Sequence, residues 1–126
     1  MKRIINTKKA PIAIGPYSQA IVFSTLIFTS GQIGINPKNG LLEKGIRTQT
    51  KRTLSNIENI LHSAKSSFSL VIKCTVYLKD IKDFEIVNMI YAQYFKETKP
   101  ARSTVEISNL PKGALIEIDA IAEIQL

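Results

Sequence analysis

Pro100-Ala101-Arg102-Ser103-Thr104-Val105-Glu106 and Leu115-Ile116-Glu117-Ile118-Asp119-Ala120 decide how this chain folds. Both alternate with the period of two that a half-buried strand requires. In the first, Ser103, Val105 and Ile107 point one way, and Arg102, Thr104 and Glu106 the other. In the second, Ile116, Ile118, Ala120, Ala122 and Ile124 make an apolar face against Leu115, Glu117, Asp119, Ile121 and Glu123. Asn109-Leu110-Pro111-Lys112-Gly113 supplies turn chemistry between them. If the two strands are neighbours, a guanidinium and a carboxylate share one side of a sheet. Arginine presents a planar fork that matches a carboxylate bidentately, so that side is a candidate site for a small carboxylate-bearing molecule. A solvated polar strand face fits the same alternation, and periodicity leaves both readings open.

Working outward, Val71–Lys79 alternates too, with Ile72, Cys74, Val76 and Leu78 opposite Lys73, Thr75, Tyr77 and Lys79. Cys74 therefore reads as a small core residue. Phe84–Phe95 carries an apolar helical stripe of Phe84, Val87, Ile90 or Tyr91, and Tyr94, stopped before Pro100. Ile46–Ala64 shows the helical period in Ile46, Thr50, Thr53, Leu54, Ile57, Ile60, Leu61 and Ala64. Upstream, Ala20–Phe23 and Leu26–Ser30 flank Ser24-Thr25 as a hairpin, and Lys2–Ile5 is a short strand. Gly31–Asn36 is a further short strand candidate, and Lys8–Ser18, with Pro11, Gly15 and Pro16, is an ordered loop. The expectation is one domain spanning residues 1–126, an α/β (α+β) fold with a mixed sheet and two helices on one face. The other face keeps Val71, Tyr77, Leu115 and Ile121 among its polar residues, which predicts association with further copies.

Composition narrows the function. The chain has 126 residues, enough for one real core. No apolar run approaches the roughly 18 residues of a membrane-spanning helix, and no apolar stretch follows the charged N-terminus as in a secretory signal, so a cytoplasmic protein is expected. Cys74 and His62 are the only residues of their kinds, which excludes a disulfide or a Cys/His zinc site within the chain. His62 reads as a surface helix residue. There is no phosphate-binding glycine loop, EF-hand or HExxH pattern. Chemistry here falls to arginine, carboxylates, hydroxyls and backbone. The net charge of +7 is spread from Lys2 to Lys112 without aromatic interleaving, so weak salt-sensitive polyanion binding is expected but not dedicated nucleic-acid recognition.

Ala13-Ile14-Gly15-Pro16-Tyr17-Ser18-Gln19-Ala20, Thr29-Ser30-Gly31-Gln32-Ile33 and Pro100-Ala101-Arg102-Ser103 resemble the signatures of the Rid (YjgF-type) family of reactive intermediate deaminases. So do Lys79-Asp80 through Tyr91, and Leu110-Pro111 followed by Ile116–Ala122; the match runs from Ile4 to Ala122. The resemblance implies a chorismate-mutase-like fold assembled as a homotrimer, with sheets lining a central barrel, helices outside and active sites between subunits. It implies cofactor-free, metal-free hydrolysis of 2-imino acids, tautomers of the enamines released by pyridoxal-phosphate-dependent dehydratases. Carried over by position, Arg102 matches the carboxylate-binding arginine and Glu117 the acidic residue that positions or activates water. Tyr17, Ser30, Gly31 and Asn88 match positions lining the cleft. Thr104 stands where many relatives have cysteine, and Lys65 where the family commonly has glycine.

On this reading Arg102 holds the substrate carboxylate opposite a water held by Glu117, and a nearby Arg102 favours the ionised Glu117 that a base requires. Two alternatives from other classes are a translation inhibitor with ribonuclease activity and a chaperone-like binding trimer. The first has only the basic charge behind it and no His-based acid/base pair, and the second should survive loss of Arg102, which should abolish deamination.

Overall fold

The computed structural model describes Met1 to Leu126. Strands β1 (Lys2–Ile5), β2 (Ala20–Phe23) and β3 (Leu26–Thr29) precede helix α1 (Ile46–Ser63). Strand β4 (Val71–Leu78), helix α2 (Phe84–Phe95), β5 (Ala101–Glu106) and β6 (Ile116–Glu123) complete the chain. The six strands form a single sheet in the order β1-β2-β3-β6-β4-β5. All neighbours are antiparallel except the β4–β5 edge pair, whose parallel crossover is α2. This is a mixed α+β domain with both helices against one face of the sheet.

The alternation of β6 explains why. Ile116, Ile118, Ala120 and Ala122 are each at most 1% exposed, and they sit in register with Leu78, Val76, Cys74 and Val71 of β4. Leu54, Ile57, Ile60 and Leu61 of α1 and Val87, Ile90, Tyr91 and Phe95 of α2 close over that face. Each isoleucine- or leucine-sized side chain buried there contributes about 1.5–3 kcal/mol. Helix α1 ends in a Schellman pattern: Ser66 N–H reaches the Leu61 carbonyl and Lys65 N–H that of His62. Lys65, at φ 60°, occupies the left-handed position where glycine is the low-strain residue.

Three expectations are corrected. The strands β5 and β6 are not neighbours, because β4 lies between them and pairs with both. Val71 belongs to the buried face and Ile72 is exposed, since a bulge between Val71 and Lys73 inserts one residue and flips the first part of β4. Gly31–Asn36 is not a strand. The β3–β6 pairing runs to Phe28↔Ile121 and resumes only at the bridge Gln32↔Ile118, four residues on one side against three on the other. The extra residue pushes Ser30-Gly31 out of the ladder, and the Thr29 hydroxyl accepts the Ala120 N–H in the gap (3.0 Å).

The uncovered face carries Tyr77, Glu117, Asp119 and a cross-strand apolar row, Ile4–Ile21–Phe28–Ile121. Ile4 and Phe28 are 63% and 40% exposed, so this row meets solvent in the single chain. No helix is long and apolar enough to cross a membrane.

Candidate active site

Arg102 is paired with Cys74 and, through it, Ala120, so its side chain leaves the sheet on the helix-covered face at the outer edge. There it meets α2. Phe84, Asn88 and Tyr91 recur at helical spacing and so share a face. The Arg102 Nη1 donates to Asn88 Oδ1 at 2.8 Å, and the guanidinium carbon lies 4.7 Å from the Tyr91 ring centre and 5.5 Å from that of Phe84. The side chain remains exposed, opening on a cleft of about 720 Å³ lined by Ile81, Lys82, Phe84, Glu85, Arg102 and Thr104. Thr104, half-buried, is two residues along β5 and on the same side as Arg102. Asn88, Arg102 and Thr104 are thus brought together. Beneath them burial pushes the Cys74 thiol up to about 11, in keeping with a packed core cysteine.

Glu117 belongs to a second cleft, of about 690 Å³, on the other side of the sheet. Tyr17, Ser30, Gly31, Gln32, Pro111 and Lys112 are among its lining. The bridge between Gln32 and Ile118, with N–H···O distances of 2.8 and 3.0 Å, lays Gly31 directly over the carboxylate. A Cβ on residue 31 would come within 2.4 Å of Glu117 Oε2. The Ser30 hydroxyl donates to the Ser18 carbonyl, tying down the loop that presents the half-exposed Tyr17. No protein group donates a hydrogen bond to the Glu117 side chain. Its pKa is raised, first by burial and then by the charge of Asp119, whose Oδ2 accepts the Tyr77 hydroxyl at 3.2 Å.

The expectation that Arg102 and Glu117 share one side of the sheet is overturned. With β4 interposed, the register pairs Arg102 with Cys74 on the covered face and Glu117 with Tyr77 on the open one. Asp119, not Arg102, is the charge that acts on Glu117, and it opposes ionisation. Within one chain the seven residues fall into two clusters on opposite faces of the sheet: Asn88, Arg102 and Thr104; and Tyr17, Ser30, Gly31 with Glu117.

Gln19 escaped the sequence reading. It is 2% exposed, accepts the Thr7 N–H at 2.7 Å, and donates to the Thr7 and Pro11 carbonyls at 3.0 and 2.8 Å, which holds the loop before Tyr17. Its place in the Ala13–Ala20 signature, as a lone glutamine entering an apolar strand, was the available signal. Phe84 and Tyr91 read simply as core aromatics, because their contact with Arg102 depends on where α2 lies. His62 is exposed and lines neither cleft. No three His, Cys, Asp or Glu side chains converge as a metal-ligand group.

The family described as endoribonuclease L-PSP matches residues 7–124. The solved structure of YyfA, a Rid family protein of Yersinia pestis, superposes with a TM-score of 0.96 at 50% identity, covering 98% of this chain and 100% of that one. The chain belongs to the Rid/YjgF family. A RutC family protein of Pyrococcus abyssi is 54% identical to this Rid chain over 122 residues, covering 96% of each. The human 2-iminobutanoate/2-iminopropanoate deaminase is 49% identical over 123 residues, covering 97% of this chain and 90% of its own. Rid membership thus rests on nearly the full length of the chain, including both residue clusters.

Proposed function

We propose that this Rid protein hydrolyses 2-imino acids to 2-keto acids and ammonia, in sites completed between the subunits of a homotrimer. The observation that carries the reading is the division of charge: a guanidinium braced on one side and open to a cleft, and a carboxylate that no protein group satisfies, on opposite faces of one sheet. A second copy supplies the missing half if the open face packs against its neighbours. The exposed row Ile4–Ile21–Phe28–Ile121 supports such packing. The number three, with sheets lining a barrel and helices outside, rests on the family resemblance. The human relative's name supports the reaction class.

Arg102 binds the substrate carboxylate, which fixes the imine carbon. Glu117 of the adjoining subunit holds a water and takes its proton as the oxygen adds to the C=N carbon. That proton passes to nitrogen, the hydroxyl proton of the tetrahedral adduct follows it as the C–N bond breaks, and the keto acid and ammonia leave. Positioning of this kind removes part of the entropic barrier, and a placed general base contributes about 10²–10⁴-fold. An already labile imine needs no cofactor for that step. Thr104 beside Arg102 lines the region that the substrate's side chain occupies.

The test is complementation. Each of Arg102→Ala and Glu117→Gln is prepared alone and as a co-refolded mixture, then coupled to a serine or threonine dehydratase with semicarbazide as the imine trap. Random mixing leaves about a quarter of intersubunit sites with both native residues, so activity returns to roughly that level. Recovery no greater than the average of the single variants ends the shared-site reading. The family's description keeps RNA cleavage as a second reading, supported by the +7 charge. Cleavage of RNA that survives purification and is untouched by Arg102→Ala favours it over deamination.

A further inference from the structure

The stripe of α2 facing β5 holds more than packing requires. Tyr91 is 6% exposed and inclined against Phe95, with ring centres 4.5 Å apart; Phe95 in turn meets Phe68 edge-on at 4.9 Å. That explains an apolar ring at this position. It does not explain a guanidinium 4.7 Å from the same ring, nor a second aromatic, Phe84, which is half-buried, lines the cleft, and lies 5.5 Å from the same group. The Tyr91 hydroxyl is buried beside the Cys74 thiol without a well-formed hydrogen bond, so it is the ring that meets the guanidinium.

We infer that Phe84 and Tyr91 are positioning residues for Arg102, an aromatic rest that orients the guanidinium and leaves a chosen set of its N–H groups for a substrate carboxylate. This rests on Arg102 being the carboxylate anchor. Guanidinium is weakly hydrated and is drawn to an aromatic face, so the two rings hold its plane without consuming a donor. Asn88 Oδ1 takes Nη1 and fixes rotation about the side-chain axis. The remaining N–H groups stay unpaired by protein. An arginine projecting freely from an edge strand gives up rotamer freedom when a ligand arrives, whereas here that ordering accompanies folding, because Tyr91 is locked to the core through Phe95. The device therefore acts on binding and leaves the chemical step alone.

The experiment titrates the folded oligomer with 2-oxobutanoate, a product keto acid, by calorimetry, and measures kcat and KM in parallel. Tyr91→Leu is expected to weaken binding and raise KM about tenfold with kcat nearly constant, and Phe84→Leu about threefold. Tyr91→Phe restores native binding, a rescue that follows from the ring. If Tyr91→Leu fails to fold, the half-buried Phe84→Leu carries the test. Arg102→Ala losing 2-oxobutanoate while the leucine variants bind normally overturns the aromatic rest and leaves the anchor standing. Native binding by Arg102→Ala overturns the anchor itself. A Tyr91→Phe variant as weak as Tyr91→Leu assigns the effect to the hydroxyl and refutes the inference.

Discussion

On the covered face, Arg102 has an amide oxygen at 2.8 Å, a ring at 4.7 Å and a second ring at 5.5 Å, all from one stripe of α2. On the open face, Glu117 has no donor, partial burial, the charge of Asp119 two residues along its strand, and glycine backbone in the space above it. One charge is braced and the other left unsatisfied. The contrast fits two tasks. A group that binds a preformed carboxylate gains from being ordered in advance. A base gains from remaining short of hydrogen bonds, since donors to its charged form would lower its pKa and its appetite for a proton.

The sharpest way to break this comparison is to remove each charge in turn. Glu117→Gln is expected to lower kcat by about 10²–10⁴-fold while 2-oxobutanoate still binds, as rate and calorimetry together would show. Arg102→Ala should lose about a hundredfold or more in kcat/KM, with the loss appearing in product binding, because a charged partner is left unpaired. Identical signatures from the two variants would dissolve the division of labour.

Gly31→Ala probes the Glu117 side more gently. The added methyl displaces a flexible carboxylate rather than backbone, so the melting temperature should hardly move while kcat falls about 10- to 100-fold. The pH profile comes next. A base is active above its pKa and fails as pH falls through it; because burial and then Asp119 raise that of Glu117, the acid limb of kcat should lie above the value of an ordinary glutamate. Asp119→Asn removes the neighbouring charge and keeps an acceptor for Tyr77, so the limb should move to lower pH. An unmoved limb detaches Asp119 from the base. The smallest effect lies outside both clefts: Lys65→Gly relieves the left-handed C′ position of α1 and should add about 1 kcal/mol in urea denaturation with no change in rate.

Much of the fold was legible because periodicity is a local property. The helical period of Ile46–Ala64 and Phe84–Phe95 and the alternation of Leu115–Ile124 mark the elements to within a residue or so of the observed bounds. The seven candidate site residues were legible only through spaced family signatures, since nothing in Asn88 or Tyr17 alone separates them from ordinary surface residues. The bulge at Ile72 and the break at Ser30-Gly31 were not legible, because each is an accommodation between two strands that one strand's pattern does not record.

By itself, the sequence determined the types of the main elements, most of their buried faces and the lack of a second cysteine or histidine within the chain, all consequences of side-chain identity and local spacing. Tertiary structure alone decided that β4 stands between Arg102 and Glu117 and that α2 lays its aromatics beneath the guanidinium. Strand order and helix placement follow from how long segments pack together. That packing, not any residue's neighbours in sequence, puts the two charges on opposite sides of one sheet.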